Sequence, residues 1–210
     1  MKTMNSKVNI EINIDGVKGF LAADEAQALY ETALNQSVKG PCLEIGSYCG
    51  LSSIYIASAC QKTNSVLYAL DHHRGSEEHQ LGEEYHDPDL YNATDGLMDS
   101  FTEFRRNIRR AKVEDYVVPL VASSELASRY WSIPLSMVFI DGGHSIEAAM
   151  MDYRSWAPHV MKGGILAIHD LFPNPEEGGQ APYDIYKLAL ASGLFEALPT
   201  VNTLGLLKRL

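Results

Sequence analysis

The sequence predicts a doubly wound α/β domain: a mostly parallel seven-stranded sheet with one antiparallel strand and helices on both faces. Three observations lead there. From residue 41 onward, short apolar runs rich in Val, Ile and Leu alternate with helical segments, the pattern of βαβ units whose strands are covered on both sides. The last two strand-like runs follow one another with no helix between them, which makes one of them antiparallel. Glycines and acids recur where strands give way to helices, and sheets of this kind bind ligands at their strands' carboxyl ends.

Residues 8–18 (VNIEINIDGVK) alternate apolar and polar about Asp15-Gly16 and predict a short hairpin. Residues 22–36 carry Leu29, Ala33 and Leu34 at helical spacing, with Asp24 or Glu25 in the first turn. Together they form an N-terminal extension, 1–40, ahead of a main domain, 41–210. Strands are expected at 42–45, 66–71, 116–121, 135–141, 164–169, 193–198 and 202–209. Helices are expected between them at 51–60, 98–111, 123–131, 145–156 and 180–191. No Pro/Gly/Ser linker and no repeat divides the chain.

Composition excludes several classes. The 210 residues hold 17 Lys+Arg against 27 Asp+Glu, a net charge of −10, with 46% apolar residues. Phosphate neutralisation needs clustered basic residues, so this acidity argues against a nucleic-acid partner. No apolar run approaches the ~18 residues of a membrane span. The N-terminus lacks the apolar segment of a secretion signal, so a cytoplasmic location is expected. Three cysteines, Cys42, Cys49 and Cys60, without CxxC spacing, read as reduced thiols. The charge is uneven: Asp71 to Asp99 holds nine acids against one arginine, Arg74, and four of the seven histidines (His72, His73, His79, His86). This acidic insertion, 72–97, reads equally as a solvated loop and as a lid beside the strand ends. The arginines at 105, 106, 109 and 110 read as a solvated helix face.

The strand ends carry the chemistry. Glu44-Ile45-Gly46-Ser47-Tyr48-Cys49-Gly50 links the first strand to its helix, and its glycines allow a ligand close to the backbone. Tyr48 stands where a GxGxxG loop has its middle glycine, and no Gly-Lys-Ser/Thr follows. Asp71 ends the second strand, where a carboxylate accepts hydrogen bonds from ribose hydroxyls. Ser123 follows the third strand, to contact an adenine edge or to cap the next helix. The fourth strand gives Asp141-Gly142-Gly143-His144 and the fifth His169-Asp170. Charged groups at the ends of buried strands must be solvated, paired or ligated. Asp141, His169 and Asp170 suit one divalent cation (Mg, Mn, Fe or Zn), and His144 suits a general base.

The series Glu44-Ile45-Gly46-Ser47-x-x-Gly50, Asp71, Phe139-Ile140-Asp141-Gly142-Gly143-His144, Asp152, Trp156-x-Pro158, Gly163-Gly164 and His169-Asp170 resembles the class I S-adenosylmethionine-dependent methyltransferases. The nearest likeness is to small bacterial O-methyltransferases of the macrocin and catechol types, and it covers roughly residues 20–210. The resemblance implies a Rossmann-like fold and S-adenosylmethionine as cofactor. Glu44, Gly46, Ser47 and Gly50 would surround its methionine part, Asp71 would hold the ribose, and His72 would lie beside the adenosine. Asp141 would be the first metal ligand of the metal-dependent members. Those members end strand five in Asp-Asn or Asp-Asp, where this chain has His169-Asp170. Members of the group often show Asp-Gly-Asp where this chain has Gly143-His144, so the reading of His144 as the base, with Asp141 as its catalytic and cofactor-binding neighbour, comes from the residues themselves.

The expected activity is methylation of an oxygen of a small-molecule acceptor, with oxygen against nitrogen, and monomer against homo-oligomer, left open. A dinucleotide-dependent oxidoreductase shares the strand, glycine loop and Asp71 but not the IDGGH and His-Asp ends. A non-catalytic ligand- or metal-binding module on the same scaffold is the third reading.

Overall fold

A computed structural model of the chain describes residues 12–76 and 87–210. In chain order the elements are α1 (Ala23–Gln36), β1 (Cys42–Ile45), α2 (Leu51–Thr63), β2 (Leu67–Leu70), β3 (Tyr91–Asn92), β4 (Leu97–Met98), α3 (Phe101–Arg110), β5 (Val117–Leu120), α4 (Ser124–Ser128), β6 (Leu135–Ile140), α5 (Ile146–Trp156), β7 (Val160–Ile168), α6 (Ala181–Ala191), β8 (Phe195–Ala197) and β9 (Gly205–Arg209).

Seven strands form one sheet in the order β5-β2-β1-β6-β7-β9-β8. β5, β2, β1, β6 and β7 pair in parallel, while β9 runs antiparallel to both β7 and β8. The expected fold class, with its single antiparallel strand, is therefore present. β1 and β6 are buried at every residue, which explains why they read as continuous apolar runs rather than alternating ones. One core face packs α1 and α2 against the sheet through Leu29, Ala33, Ile54 and Ile56. The other packs α5 and α6 through Trp156 and Ile185. The three cysteines are buried free thiols.

Several boundaries move. β7 starts at Val160 rather than 164, because Leu135 pairs with Val160 and the register then shifts before Met137 meets Ile165. α3 starts at Phe101 rather than 98, because Leu97 and Met98 pair with Asn92 and Tyr91 in a small hairpin. α4 ends at Ser128. At the N-terminal hairpin, Asp15-Gly16 form a turn, with Val17 N–H donating to Ile14 O at 3.0 Å. Residues 12–18 make no strand, and residues 8–11 lie outside the described residues. Of the acidic insertion, residues 77–86, with His79, His86 and Glu77, Glu78, Glu83 and Glu84, also lie outside them.

Candidate functional site

The sheet order reverses between β1, whose chain continues to β2, and β6, whose chain continues to β7. Strand ends part at such a point, and a crevice opens there. Here it is a cavity of about 1100 Å³, roomy enough for a drug-sized ligand with space to spare. Gly46, Ser47, Asp71, His72, Ser123, Asp141, His144, His169 and Asp170 all line it. Glu44 and Gly50 stand behind the wall.

The loop after β1 explains its glycines. Gly46 has φ +90°, and a Cβ there would lie 1.9 Å from the Asp141 carbonyl oxygen. Only a residue without a side chain lets the ends of β1 and β6 meet. Gly50 has φ +92° at the N-terminus of α2. Tyr48 is left-handed although it is not glycine, with φ 43°, and such positions concentrate at functional sites. Its backbone N–H donates to Asp71 Oδ2 at 2.8 Å, and His73 N–H donates to Asp71 Oδ1 at 2.7 Å. Two neutral donors thus fix the carboxylate at the end of β2, with lone pairs remaining on both oxygens.

Glu44 is fully buried and accepts a hydrogen bond from Ser53 Oγ. Burial pushes its carboxyl up to about 7, against the stabilising hydroxyl of Ser53. Neither Glu44 Oε1 nor Ser47 Oγ makes a hydrogen bond among the described residues. Ser123 Oγ accepts from Leu126 N–H at 3.3 Å, so its side chain caps α4. His73 is 2% exposed and packs on Phe101 and Phe104, with Nδ1 on Ser100 Oγ at 2.8 Å, a structural histidine.

The acids and imidazoles after β6 and β7 form one network. His169 Nδ1 lies 3.1 Å from Asp141 Oδ1 and 3.4 Å from Asp170 Oδ1. His169 Nε2 lies 3.0 Å from Glu25 Oε2. Glu25 also accepts from Ala22 N–H at 3.1 Å, Thr203 N–H at 2.8 Å and Thr203 Oγ1 at 2.7 Å. Burial disfavours charge on His169, but Asp141 and Asp170 outweigh it and push the imidazole up to about 11. It is therefore an imidazolium with both N–H groups given to carboxylates. Asp170 is likewise penalised by burial, yet His144 and His169 hold it far below the usual carboxylate range.

The residues read as metal ligands lie together: His169 Nδ1 is beside Asp141 and Asp170, with its other nitrogen on Glu25. His144 joins them, with Nε2 3.1 Å from Asp170 Oδ2, and Asp141, His144 and Asp170 offer ligand atoms within 4.8 Å of one another.

Three residues of the site were missed from sequence. Glu25 reads as an ordinary first-turn acid, and only the fold carries α1 to the end of β7. Thr203 gave no signal. Asp152 belongs to the quoted series, but no chemistry was assigned to it; it is 7% exposed and lines the cavity from α5.

Comparison with known proteins was made on this geometry. A family model described as a methyltransferase domain matches residues 43–171. Among solved structures, the cofactor-bound Rv0187 from MTB superposes with a TM-score of 0.65 at 15% identity, covering 90% of this chain and 81% of that one. The O-methyltransferase NovP gives 0.65 at 19% identity, covering 89% and 79%. An O-methyltransferase from Bacillus cereus in complex with SAH gives 0.61 at 17% identity, covering 93% and 86%. At these identities the likeness is one of fold.

Proposed function

Since the chain belongs to the methyltransferase-domain family, as its resemblance to class I S-adenosylmethionine-dependent methyltransferases implies, we propose that it moves the methyl group of S-adenosylmethionine onto a hydroxyl oxygen of a small-molecule acceptor. The observation that carries this reading is one cavity lined both by Gly46, Ser47 and Asp71 and by Asp141, His144 and Asp170. The residues present fit the donor. Gly46 keeps the crevice floor free of a side chain, Ser47 Oγ is a buried hydroxyl with no hydrogen bond among the described residues, and Asp71 faces the cavity as a fixed acceptor. His72 lines the same end.

When bound, the donor supplies an electrophilic methyl carbon on a sulfonium, whose C–S electron pair returns to sulfur as the acceptor oxygen bonds to that carbon. The chain's own work is to hold the two reactants in line, worth roughly 7–11 kcal/mol, and to remove the acceptor's proton. His144 takes that proton, and Asp170 on its Nε2 side stabilises the imidazolium that forms. His169, already cationic, offsets the charges of Asp141 and Asp170.

A second reading rests on the convergence of Asp141, His144 and Asp170. Two carboxylates and an imidazole suit Mg, Mn, Fe or Zn. A divalent ion held there would lower the acceptor hydroxyl's pKa, and His144 would then be a ligand rather than the base. A cytoplasmic setting fits the three buried free thiols. Among the described residues no helix is long and apolar enough to cross a membrane.

Calorimetry with S-adenosylmethionine and S-adenosylhomocysteine tests the donor, and an absence of binding to either removes the reading. Methyl transfer to a panel of phenols and sugar hydroxyls, with and without chelator, tests the acceptor class. Chelator-sensitive transfer, restored by one metal, selects the second reading over the first.

A further inference from the structure

Asp71 is oriented by two residues whose own backbone is held in an unfavourable conformation. Tyr48 and His73 give it their N–H groups at 2.8 and 2.7 Å, and both are left-handed without being glycine, with φ 43° and 59°. Such backbone is costly for a residue with a side chain and persists only where its surroundings hold it. At His73 the contacts that hold it are plain. The ring is 2% exposed and packs on Phe101 and Phe104, with centroids 4.9 and 5.3 Å away. Its Nδ1 lies 2.8 Å from Ser100 Oγ, and the His73 carbonyl oxygen accepts from Ser100 N–H at 3.2 Å. Ser100 stands at the N-cap of α3 but makes no side-chain cap there; its hydroxyl goes to the histidine instead.

Packing alone does not call for a histidine here. Its Nε2 is buried and makes no hydrogen bond among the described residues, and a buried polar atom without a partner costs free energy. An apolar side chain would fill the space beside the two phenyl rings without that cost. It would lack the Nδ1 contact to Ser100, and it would lack the tolerance of left-handed backbone that histidine shares with asparagine and aspartate. Both of these properties serve the direction of the His73 N–H, and that N–H goes to Asp71. Asp71 lines the cavity, while His73 stands behind the wall.

We propose that His73 is a positioning residue for cofactor binding: its ring, anchored on Ser100, fixes the backbone whose N–H aims the Asp71 carboxylate into the cavity. This rests on the methyl-donor reading above. His73 acts only through Asp71, so its effect on affinity disappears where that carboxylate is absent, and it is separable from any effect on stability.

The test measures S-adenosylhomocysteine affinity by calorimetry and stability by denaturant unfolding, both on the whole chain. His73→Leu fills the ring's place with an apolar group, resists left-handed backbone and cannot bond Ser100. It is expected to weaken binding by about tenfold with little loss of stability. His73→Asn keeps a hydrogen-bonding atom where Nδ1 stands and tolerates the backbone, but it leaves a void. It is expected to lose stability while holding affinity within about threefold of the unaltered chain. A histidine that only packs would make affinity follow stability, with asparagine the worse replacement; that order, or unchanged affinity in a folded His73→Leu, overturns the proposal. On an Asp71→Ala background, His73→Leu is expected to weaken binding no further. A loss that persists there in full overturns the proposal, as does an Asp71→Ala that binds as tightly as the unaltered chain. Should His73→Leu fail to fold, Ser100→Ala is expected to weaken binding by about threefold, and unchanged affinity there overturns the proposal as well. If the unaltered protein does not bind S-adenosylhomocysteine, the methyl-donor reading fails first, an outcome distinct from binding on which His73 has no influence.

Discussion

Asp71 and Asp170 both follow parallel strands and line one cavity, yet they are held in opposite ways. Asp71 is gripped by two backbone N–H groups, from Tyr48 and His73. Asp170 faces two imidazoles, His144 at 3.1 Å and His169 at 3.4 Å. Neutral backbone donors fix a carboxylate without cancelling its charge, so it remains an acceptor for a ligand's hydroxyls. Imidazoles instead set a carboxylate among groups that carry or exchange protons. The same residue type thus meets neutral donors at β2 and imidazoles at β7, and its partners make the difference.

The largest expected effect comes from the proton-handling end. His144→Ala should lower turnover by about 10²–10⁴-fold while leaving cofactor affinity unchanged by calorimetry; a matching loss of affinity would erase the division between the two ends. His169→Ala should cost about 3–5 kcal/mol in denaturant unfolding, because it strands the carboxylates of Glu25 and Asp141 without their cation. A loss no larger than that of a surface substitution would mean that His169 is not the charge holding them.

Glu44 offers a third way of keeping an acid, buried so that its ionisation is delayed, and it gives a pH test. Burial raises its carboxyl from 4.5 to about 7 in the folded chain. The unfolded chain ionises first as pH rises, so the folded state binds more protons and stability falls across that window. Glu44→Gln should flatten this decline by roughly 3 kcal/mol, read from denaturant midpoints taken below the ordinary carboxyl range and above the raised value of about 7. Asp71→Ala should weaken S-adenosylhomocysteine binding by about 10–100-fold with turnover at saturating cofactor largely kept, the converse of His144→Ala. The smallest effect is expected at Lys18, which bridges Asp87 at 2.6 Å and Asp89 at 2.9 Å between the N-terminal segment and the insertion. The pair is partly exposed, and Lys18→Ala should cost less than about 1 kcal/mol in a melting experiment.

Much of the sheet was legible because its signals are local. β1 and β6 are apolar throughout since both faces are covered, and Gly46 and Gly50 mark backbone that other residues adopt at a cost. Strand boundaries were less legible at β7, where a register shift lengthens the strand through Gly163-Gly164. The contact between His169 and Glu25 was not legible, because sequence cannot show that a helix more than a hundred residues earlier places that carboxylate on the second nitrogen.

By itself, then, the amino-acid sequence determined the order of strands and helices, the glycine loop, and the acids and imidazoles at strand ends, since burial periodicity and backbone freedom are properties of neighbouring residues. The tertiary structure alone decided which charge each acid meets. Glu25 and Thr203 reach His169 from opposite ends of the chain, and Ser124 and Trp156 aim Asp152 from two different helices. A carboxylate's role follows from the groups within hydrogen-bond reach, and those groups are chosen by the fold, not by the residues beside it in the chain.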